Sequence, residues 1–286
     1  MRVLPECFRC LERLTDQTLA LCFAQRNISP AKQANISNTT RRQLKRNFSS
    51  RTVPAELFSR LNRANKKSTR VPDPFRLRKI EEIRQARMVG RKLYREHRPR
   101  RLDELLLFSV RGNSLDFFKP LEESIRHMHE PAKLYAPGLA QLEQKLRRPC
   151  RILFFADNSG EIFFDLPLVK HLNRKHIVTY IVKSGAIQND LTMKDLKNSR
   201  MRASFPRAQG TGNDAVGIAL DSASVSLKRN LAQCDLVIAK GMGYYETFTE
   251  LPRFRGKVFH LLMAKCRPVA KSIGVPLHSF VLLKSE

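Results

Sequence analysis

The sequence has no long apolar run, few cysteines and few acidic residues. No stretch approaches the roughly 20 apolar residues that a membrane-spanning helix needs, and the first ten residues, MRVLPECFRC, lack the apolar core of a signal peptide. The six cysteines are scattered over 286 residues, which does not fit a disulfide framework and favours a reducing compartment. These absences predict a cytoplasmic protein without membrane contact, and 42% apolar residues are enough to build a core.

The shortage of acidic residues leaves a strongly basic chain. It has 53 Lys and Arg against 26 Asp and Glu, and residues 41–102 alone hold 21 basic against 5 acidic residues. Such a segment attracts polyanions through counterion release, so a weak nucleic-acid contact is one hypothesis. The segment shows no RNP-like aromatic pair, zinc finger or recognisable helix-turn-helix, however. A solvated basic helical surface is therefore the plainer interpretation.

The spacing of apolar residues changes near residue 148. Before it, apolar residues recur every three or four positions, as in CLERLTDQTLALCF, which is typical of helices. After it, short β-rich runs alternate with helical segments, and the runs are RILFFAD, HIVTYIVK, DLVIAK, KVFHLLMA and SFVLLK. The pattern predicts a helical N-terminal part over 1–148 and an α/β domain over 149–286. That domain is expected to contain a doubly wound, mostly parallel, Rossmann-like sheet.

Polar side chains follow several predicted strands at the point where each strand ends. Asp157 and Asn158 end the first run, Asn189 and Asp190 follow the second, and Lys240 ends a later one. Because ligands of such sheets bind outside the carboxyl ends of the strands, we expect these side chains at one crevice. Two carboxylates and an amide oxygen are hard ligands that suit a divalent cation such as Mg²⁺ or Mn²⁺.

Glycines mark the loops that follow the same strands, at Gly160, Gly212 and Gly241 to Gly243. Their backbone N–H groups are expected to approach a phosphate, with Lys240 at the crevice rim as its countercharge. A cation beside a phosphate cradle indicates phosphoryl chemistry. Each part alone also has an ordinary explanation: Asp157 as a helix N-cap, the glycines as turn residues, and Lys240 as a surface lysine.

The ordered segments DNSGEIFFD, QNDLTMKDL, GTGNDAVGI, IAKGMGYYE and LLMAKCRPVA resemble the motifs of the damage-control phosphatase family, the ARMT-like domain. The resemblance covers nearly the whole chain and is greatest to the short archaeal-type members. Those members begin with a Cys-x-x-Cys, matched here by Cys7 and Cys10. They also carry a GNxxDF motif, matched by Gly112, Asn113, Asp116 and Phe117.

The resemblance implies a metal-dependent phosphatase acting on small phosphorylated metabolites, either sugar-phosphate-like or damaged. The implied cofactor is a divalent cation, namely Mn, Mg, Co or Ni. The family pattern assigns catalysis and metal binding to Asp157, Asn158 and Asp190. The positions expected to bind substrate are Glu161, Lys240, Asn113, Asp116 and Gly212.

Two positions depart from the family pattern. Tyr244 in KGMGYYE replaces a usual Asn, which predicts a rearranged hydrogen bond near the substrate. Pro167 lies inside the helix expected after DNSGEIFFD, and it should kink that helix or shift its start. Cys7 and Cys10 are either two helical thiols or part of a thiol cluster that Cys266 completes.

Two other functions remain open at the level of sequence. A Rossmann-like sheet with glycine loops could serve an S-adenosylmethionine-dependent carboxyl methyltransferase, although no GxGxxG follows the first strand. The chain could also be a basic nucleic-acid-binding protein with an inert sheet. For the phosphatase, the sequence leaves open whether a metal-bound water or Asp157 is the nucleophile.

Overall fold

The computed structural model describes residues 1–114 and 132–286. Asp116 and Phe117 of the GNxxDF motif lie outside the described residues. The first 114 residues form a helical layer in which prolines open two of the helices, at the first helical position where a missing N–H is harmless. Its helices are α1 (Glu6–Gln25), α2 (Pro30–Asn47), α3 (Pro54–Thr69), α4 (Arg76–His97) and α5 (Leu102–Arg111).

The described residues from 132 onward contain a seven-stranded sheet in the order β1-β7-β6-β5-β2-β3-β4. All neighbouring strands are parallel except the pair β6 and β7. This confirms the predicted α/β class, and the five apolar runs correspond to β2, β3, β5, β6 and β7. The strands are β1 (Leu134–Tyr135), β2 (Arg151–Phe155), β3 (Ile177–Val182), β4 (Ala208–Gly210), β5 (Leu236–Lys240), β6 (Val258–Met263) and β7 (Phe280–Lys284).

Helices connect the strands and cover both faces of the sheet. Pro167 lies inside one of them, α7, which begins only after a 3-10 turn over Ser159–Glu161 and runs on to Leu172. The connecting helices are α6 (Leu139–Lys145), α7 (Ile162–Leu172), α8 (Met193–Asn198), α9 (Val225–Gln233), α10 (Met242–Phe248) and α11 (Arg267–Ile273).

The central strand β2 is buried on both faces of the sheet. Phe154 belongs to the core on one face of the sheet, with Leu106 of α5, and its neighbour Phe155 belongs to the core on the other face, with Phe248 of α10. Both phenylalanines are fully buried. Each buried aromatic or aliphatic side chain stabilises the fold by roughly 1.5–3 kcal/mol. A strand buried on both faces therefore has no alternation of polar residues.

The helical layer packs directly on the sheet domain. The N–H of Ala55, at the start of α3, donates to Glu246 of α10 at 3.0 Å, and Glu82 of α4 accepts from the loop after β2. Strand β1 precedes residue 149 and pairs with β7, and the domain boundary at 148 stays a prediction. No helix in residues 1–114 or 132–286 is long and apolar enough to cross a membrane.

Cys7 and Cys10 lie in the first turns of α1, and Cys266 immediately precedes α11. Burial raises the pKa of the Cys266 thiol to about 12. A cluster of the three thiols stays a prediction, and no metal-binding group of three His, Cys, Asp or Glu side chains occurs among the described residues. All six cysteines are free thiols.

Candidate active site

Three residues of the site come together because the loops after β2 and β3 pair with each other. Asn158 and Asp190 form an isolated antiparallel bridge. Next to the bridge, the N–H of Leu191 donates to the carbonyl of Asp157 at 2.8 Å. These backbone contacts hold Asp157, Asn158 and Asp190 at one edge of the sheet.

That edge is the topological switch point of the sheet. Strand β2 pairs with β3 on one side and with β5 on the other, so the chain leaves β2 in one direction and returns to its opposite side. The loops after β2 and β5 diverge there and leave a crevice beyond the strand ends, which is where doubly wound sheets bind ligands.

Asn113 brings the helical layer into the site. It lies in the 3-10 turn after α5 and is buried. Its Nδ2 donates to Oδ2 of Asp157 at 2.8 Å and to Oε1 of Glu161 at 2.6 Å. Its Oδ1 accepts from the N–H of Met263 at 3.2 Å, which fixes the amide orientation. One side chain thus holds two carboxylates of the predicted site in place.

Asn158 uses its amide nitrogen in the same way. Its Nδ2 donates to Oε1 of Glu161 at 2.7 Å and to Oδ2 of Asp157 at 3.2 Å. Both bonds use the amide nitrogen, and cation binding by the amide oxygen of Asn158 stays a prediction.

The pKa values of Asp157 and Asp190 are raised although lysines lie near both carboxyl groups. Removal from water, together with the charges of Glu161 and Asp190, raises the pKa of Asp157 to about 8 against the opposing effects of Lys265 and Asn113. Burial also raises the pKa of Asp190 to about 6, although Lys183 opposes this. Carboxylates packed so closely ionise together only when a cation offsets their repulsion.

The chemistry of this donor set fits a divalent cation. Asp157, Asp190 and the Asn158 amide oxygen supply hard oxygen ligands, and Mg²⁺ or Mn²⁺ usually keeps several waters in its shell. Within residues 1–114 and 132–286, no three His, Cys, Asp or Glu side chains cluster as metal ligands. A two-carboxylate, one-amide set lies below that number, and it is the arrangement expected for a metal that retains water.

Lys240 is not at the crevice rim, and that expectation is wrong. Its ammonium is fully buried, pairs with Glu161, and pairs with Oδ1 of Asp165 at 2.5 Å. Burial alone would lower the pKa of Lys240, but Asp165 and Glu161 together raise it. Burying an unpaired ammonium is very costly. The two carboxylates offset that cost, so the side chain of Lys240 can lie in the interior and not at the solvent-exposed edge.

Asp165 anchors this buried network from below. Its Oδ1 also accepts from the Ser109 hydroxyl at 2.7 Å, and its Oδ2 accepts from the Tyr180 hydroxyl at 2.7 Å. The carbonyl of Ser109 accepts from Lys240 at 3.0 Å. These bonds join α5, α7 and β3 beneath the crevice.

Three of the glycine N–H groups that the sequence analysis assigns to a phosphate have partners within the protein. The N–H of Gly160 donates to Oε1 of Glu82, that of Gly212 to the hydroxyl of Ser184, both at 2.7 Å, and that of Gly241 to a carbonyl of β6. All three donors are therefore engaged within the protein. Gly212 is exposed and turns with φ +91 against the backbone of Ser224, so its glycine serves the turn.

Gly241 has a different reason to be glycine. It has φ +81 and ψ 167, a conformation that is essentially restricted to glycine. A Cβ atom at this position would overlap the carboxylate of Asp157. The backbone after β5 can approach that carboxylate only because a side chain is absent.

The sequence argument missed Lys183, the residue that follows β3. Its Nζ donates to the carbonyl of Gly217 at 2.6 Å and lies 3.6 Å from Oδ2 of Asp190. It also lies 4.2 Å from the centre of the Tyr244 ring. The aromatic ring of Tyr244, which replaces the usual Asn of the family, therefore makes a cation–π contact with Lys183. Applying the strand-end rule to HIVTYIVK would have identified Lys183.

Lys265 was also missed, although it stands within the quoted segment LLMAKCRPVA. It is partly exposed, and its charge acts on Asp157, Glu161 and Glu82. The described residues place no carboxylate within ion-pair distance of it. Among the described residues, Lys265 is thus a partly exposed cation at this edge without a carboxylate partner at ion-pair distance.

Comparison with known proteins gives a consistent family result. Residues 3–281 match the family model of the damage-control phosphatase ARMT1-like domain. A protein named damage-control phosphatase from Pyrococcus horikoshii is 30% identical, covering 100% of this chain and 99% of the relative. One with that name from Archaeoglobus fulgidus is 27% identical over 98% of each chain. The crystal structure of a DUF89 family protein from Pyrococcus horikoshii has the same fold, with a TM-score of 0.87, 24% identity and full coverage of both chains.

Proposed function

This chain belongs to the damage-control phosphatase ARMT1-like domain family, and we propose that it is a divalent-metal-dependent phosphatase of small phosphorylated metabolites. Two archaeal relatives that align over nearly its whole length are named damage-control phosphatases. The family resemblance inferred from the ordered motifs is thereby confirmed. Metal dependence and substrate class are the proposal.

The observation that carries the proposal is the bridge between Asn158 and Asp190. It gathers two carboxylates and an amide at the switch point of the sheet, and burial keeps the pKa values of both carboxyl groups high. Such a cluster is unfavourable by itself, because buried like charges repel one another. Cation binding would turn this unfavourable cluster into a functional one.

We assign the metal ligands to Asp157, Asp190 and the amide oxygen of Asn158. A cation such as Mn, Mg, Co or Ni held there would act as a Lewis acid toward a phosphoryl oxygen. Asn113 and Asn158 orient the carboxylates through the hydrogen bonds described above. These bonds fix the ligands before a substrate arrives, which is the preorganisation that electrostatic catalysis requires.

Lys265 takes the phosphate-binding role that the sequence had given to Lys240. A partly exposed ammonium beside ionised carboxylates would stabilise the added charge of a phosphoryl group in the transition state. Glu161 lies by the substrate in this proposal. Burial alone would raise the pKa of Glu161, but the charge and hydrogen bond of Lys240, together with Lys265 and Asn113, lower it overall, so that this carboxylate stays ionised near neutral pH.

A screen of divalent metals against phosphomonoesters tests the proposal. The wild type should hydrolyse at least one sugar phosphate or p-nitrophenyl phosphate only with added metal. Asp157→Asn and Asp190→Asn should lower turnover by about 10³ or more, because each removes an anionic ligand. Asp221→Asn, at an exposed site, is the matched control. Near-wild-type activity in both site variants would contradict the proposed site.

The methyltransferase alternative makes a different prediction in the same assay. A chain that used S-adenosylmethionine would bind it with measurable affinity and would show no metal-dependent hydrolysis. The loop after β2 is DNSGE, without the spacing of a dinucleotide-binding glycine motif. Binding of S-adenosylmethionine without phosphatase activity would favour that class.

We also propose a weak, sequence-independent nucleic-acid contact through the basic helices of 41–102. Arg84, Arg91 and Arg95 are exposed along one side of α4. Exposed arginines neutralise backbone phosphates and release their counterions without contacting the bases. Binding should therefore be independent of sequence and should weaken steeply as the salt concentration rises. This contact would be separate from the phosphatase reaction.

A further inference from the structure

The inward face of α4 begins with two charged residues. Its buried positions recur at the spacing of a helical stripe, and they are Lys79, Glu82, Ala86, Gly90 and Leu93. Lys79 is 0% exposed and Glu82 is 2% exposed. Lysine and glutamate are rarely buried so completely unless a partner holds them. The partners of these two side chains therefore indicate what this face of α4 does.

Lys79 holds the loop that follows β3. Its Nζ donates to Oδ2 of Asp195 at 2.9 Å, and the same oxygen accepts from the N–H of Thr192 at 3.1 Å and from its hydroxyl at 2.6 Å. Thr192 is in turn bridged to Lys183, the residue that follows β3. Asp190 lies between Lys183 and Thr192 in the chain. The ammonium of Lys79 thus anchors the backbone beside one carboxylate of the candidate site.

Glu82 holds the loop that follows β2. Its Oε1 accepts from the N–H of Gly160 at 2.7 Å. A Cβ atom at Gly160 would lie 2.8 Å from Cγ of Glu82 and 2.9 Å from Cβ of Ala86, so the helix and the loop are in direct contact. Gly160 stands two residues after Asn158. Because the contact leaves no room for a side chain, α4 sets the position of this loop.

We propose that Lys79 and Glu82 are positioning residues that fix the spacing between the loops carrying Asp190 and Asn158. Each loop is held two residues after a proposed metal ligand, and a single helix holds both. The proposal rests on the proposed phosphatase function and deepens it, because the helical layer becomes part of the metal site. Replacing a group that holds metal ligands in place typically weakens metal binding by about 10- to 100-fold.

Titration calorimetry with Mn²⁺ on the metal-free, full-length protein tests the positioning role without relying on turnover. Lys79→Met and Glu82→Met each remove one contact between α4 and a loop and keep every proposed metal ligand. Each should weaken Mn²⁺ binding by about tenfold or more. At saturating Mn²⁺, turnover of p-nitrophenyl phosphate should return to within about threefold of the wild type, because the ligands are intact. Asp190→Asn lacks a ligand and should not recover.

Two matched variants separate positioning from general stability. Asp73→Asn removes the other carboxylate that pairs with Lys79, at 2.8 Å, and Asp73 lies before α4 and outside both loops. Glu82→Gln keeps an acceptor for the N–H of Gly160. A neutral side chain suits this position, because burial raises the pKa of Glu82 well above its usual value despite that hydrogen bond. Both variants should bind Mn²⁺ as tightly as the wild type.

Urea unfolding shows whether each variant is folded. If Lys79→Met does not fold, Asp195→Asn replaces it, because this substitution removes the charge that pairs with Lys79 and keeps an acceptor for the loop. The proposal is overturned if these variants and Glu82→Met bind Mn²⁺ like the wild type while Asp190→Asn does not. It is also overturned if Asp73→Asn weakens binding as much as they do. A wild type that neither binds Mn²⁺ nor hydrolyses phosphomonoesters would instead overturn the phosphatase function, and the positioning role with it.

Discussion

Lys240 and Glu161 form an ion pair inside the protein, and both side chains are closed to solvent. Asp165 pairs with the same ammonium from the other side. The ammonium of Lys240 is therefore held beneath the crevice by two carboxylates. Glu161 in turn accepts the amide hydrogens of Asn113 and Asn158, so one buried lysine orients residues on three elements.

Lys240→Met should destabilise the protein. The substitution keeps the packing of the stem but leaves Glu161 and Asp165 buried without a countercharge, and breaking a buried pair in this way costs roughly 3–5 kcal/mol. Urea unfolding of the metal-free protein at pH 7 measures the loss. A change below about 1 kcal/mol, with turnover lost, would instead return Lys240 to the role of a phosphate ligand.

Lys265→Met is expected to show the reverse behaviour. Lys265 is partly exposed and has no carboxylate at ion-pair distance among the described residues, so the free energy of unfolding should change little. Turnover of a phosphomonoester should fall by about 10² to 10³, because an ammonium that stabilises the transition state is lost. Steady-state kinetics on both lysine variants separates the two roles. Unchanged turnover in Lys265→Met would contradict its assignment.

Gly241→Ala tests the close approach to Asp157. Gly274 has a similar φ, +79 against +81, but a Cβ atom there would meet nothing within 4 Å. Both variants should lose about 1–3 kcal/mol of stability from backbone strain. The Gly241 variant alone should also lose metal-dependent turnover, because the new methyl group displaces the carboxylate of Asp157, the proposed metal ligand. Equal activities of the two folded variants would show that this contact does not matter for function.

Glu246 gives the protein a specific dependence of stability on pH. Burial raises its pKa from 4.5 to about 7, against the effects of the Ala55 N–H and the terminal ammonium. The folded state therefore binds more protons than the unfolded state in this range, and stability from this group is lost as pH rises from about 4.5 to 7. Glu246→Gln keeps an acceptor for Ala55 and should remove that loss.

The control for this prediction is Glu250→Gln. Burial opposes ionisation of Glu250, but its hydrogen bond and ion pair with the terminal ammonium of Met1 lower its pKa overall. Glu250 therefore stabilises the folded state at pH values above the pKa of the unfolded chain, about 4.5, and this stabilisation is lost as the pH falls. Urea unfolding from about pH 3 to 8 should thus show opposite changes of slope, between about pH 4.5 and 7 for Glu246→Gln and below about pH 4.5 for Glu250→Gln. Parallel curves for Glu246→Gln and the wild type would mean that Glu246 titrates normally.

Arg91→Ala combined with Arg95→Ala tests the basic surface of α4. Both side chains are exposed, so removing two cations should weaken binding of single-stranded RNA and reduce its salt dependence by about two ions. Fluorescence anisotropy at several salt concentrations measures both quantities. Turnover of a small phosphomonoester should stay within about twofold of the wild type. A loss as large as that of the Asp157 variant would place α4 in the catalytic site.

The sequence by itself determined the sheet and the grouping of three polar residues that follow its strands. The strands β2, β3, β5, β6 and β7 are apolar throughout because both faces of a parallel sheet are covered. The same topology places the residues after β2 and β3 at one edge. Asp157, Asn158 and Asp190 could therefore be grouped before any coordinates were known. The strands β1 and β4 were missed, since two or three residues carry no periodicity.

Only the tertiary structure decided which way each charged and polar side chain turns. Lys240, Lys183 and Lys265 all follow or end strands, yet the first two are buried against carboxylates and the third is partly exposed. The loop amides of Gly160 and Gly212 were likewise assigned to a phosphate but are held by Glu82 and Ser184. These outcomes depend on partners that lie tens of residues away in the chain. A buried charge or donor must find such a partner, and local sequence does not specify where that partner lies.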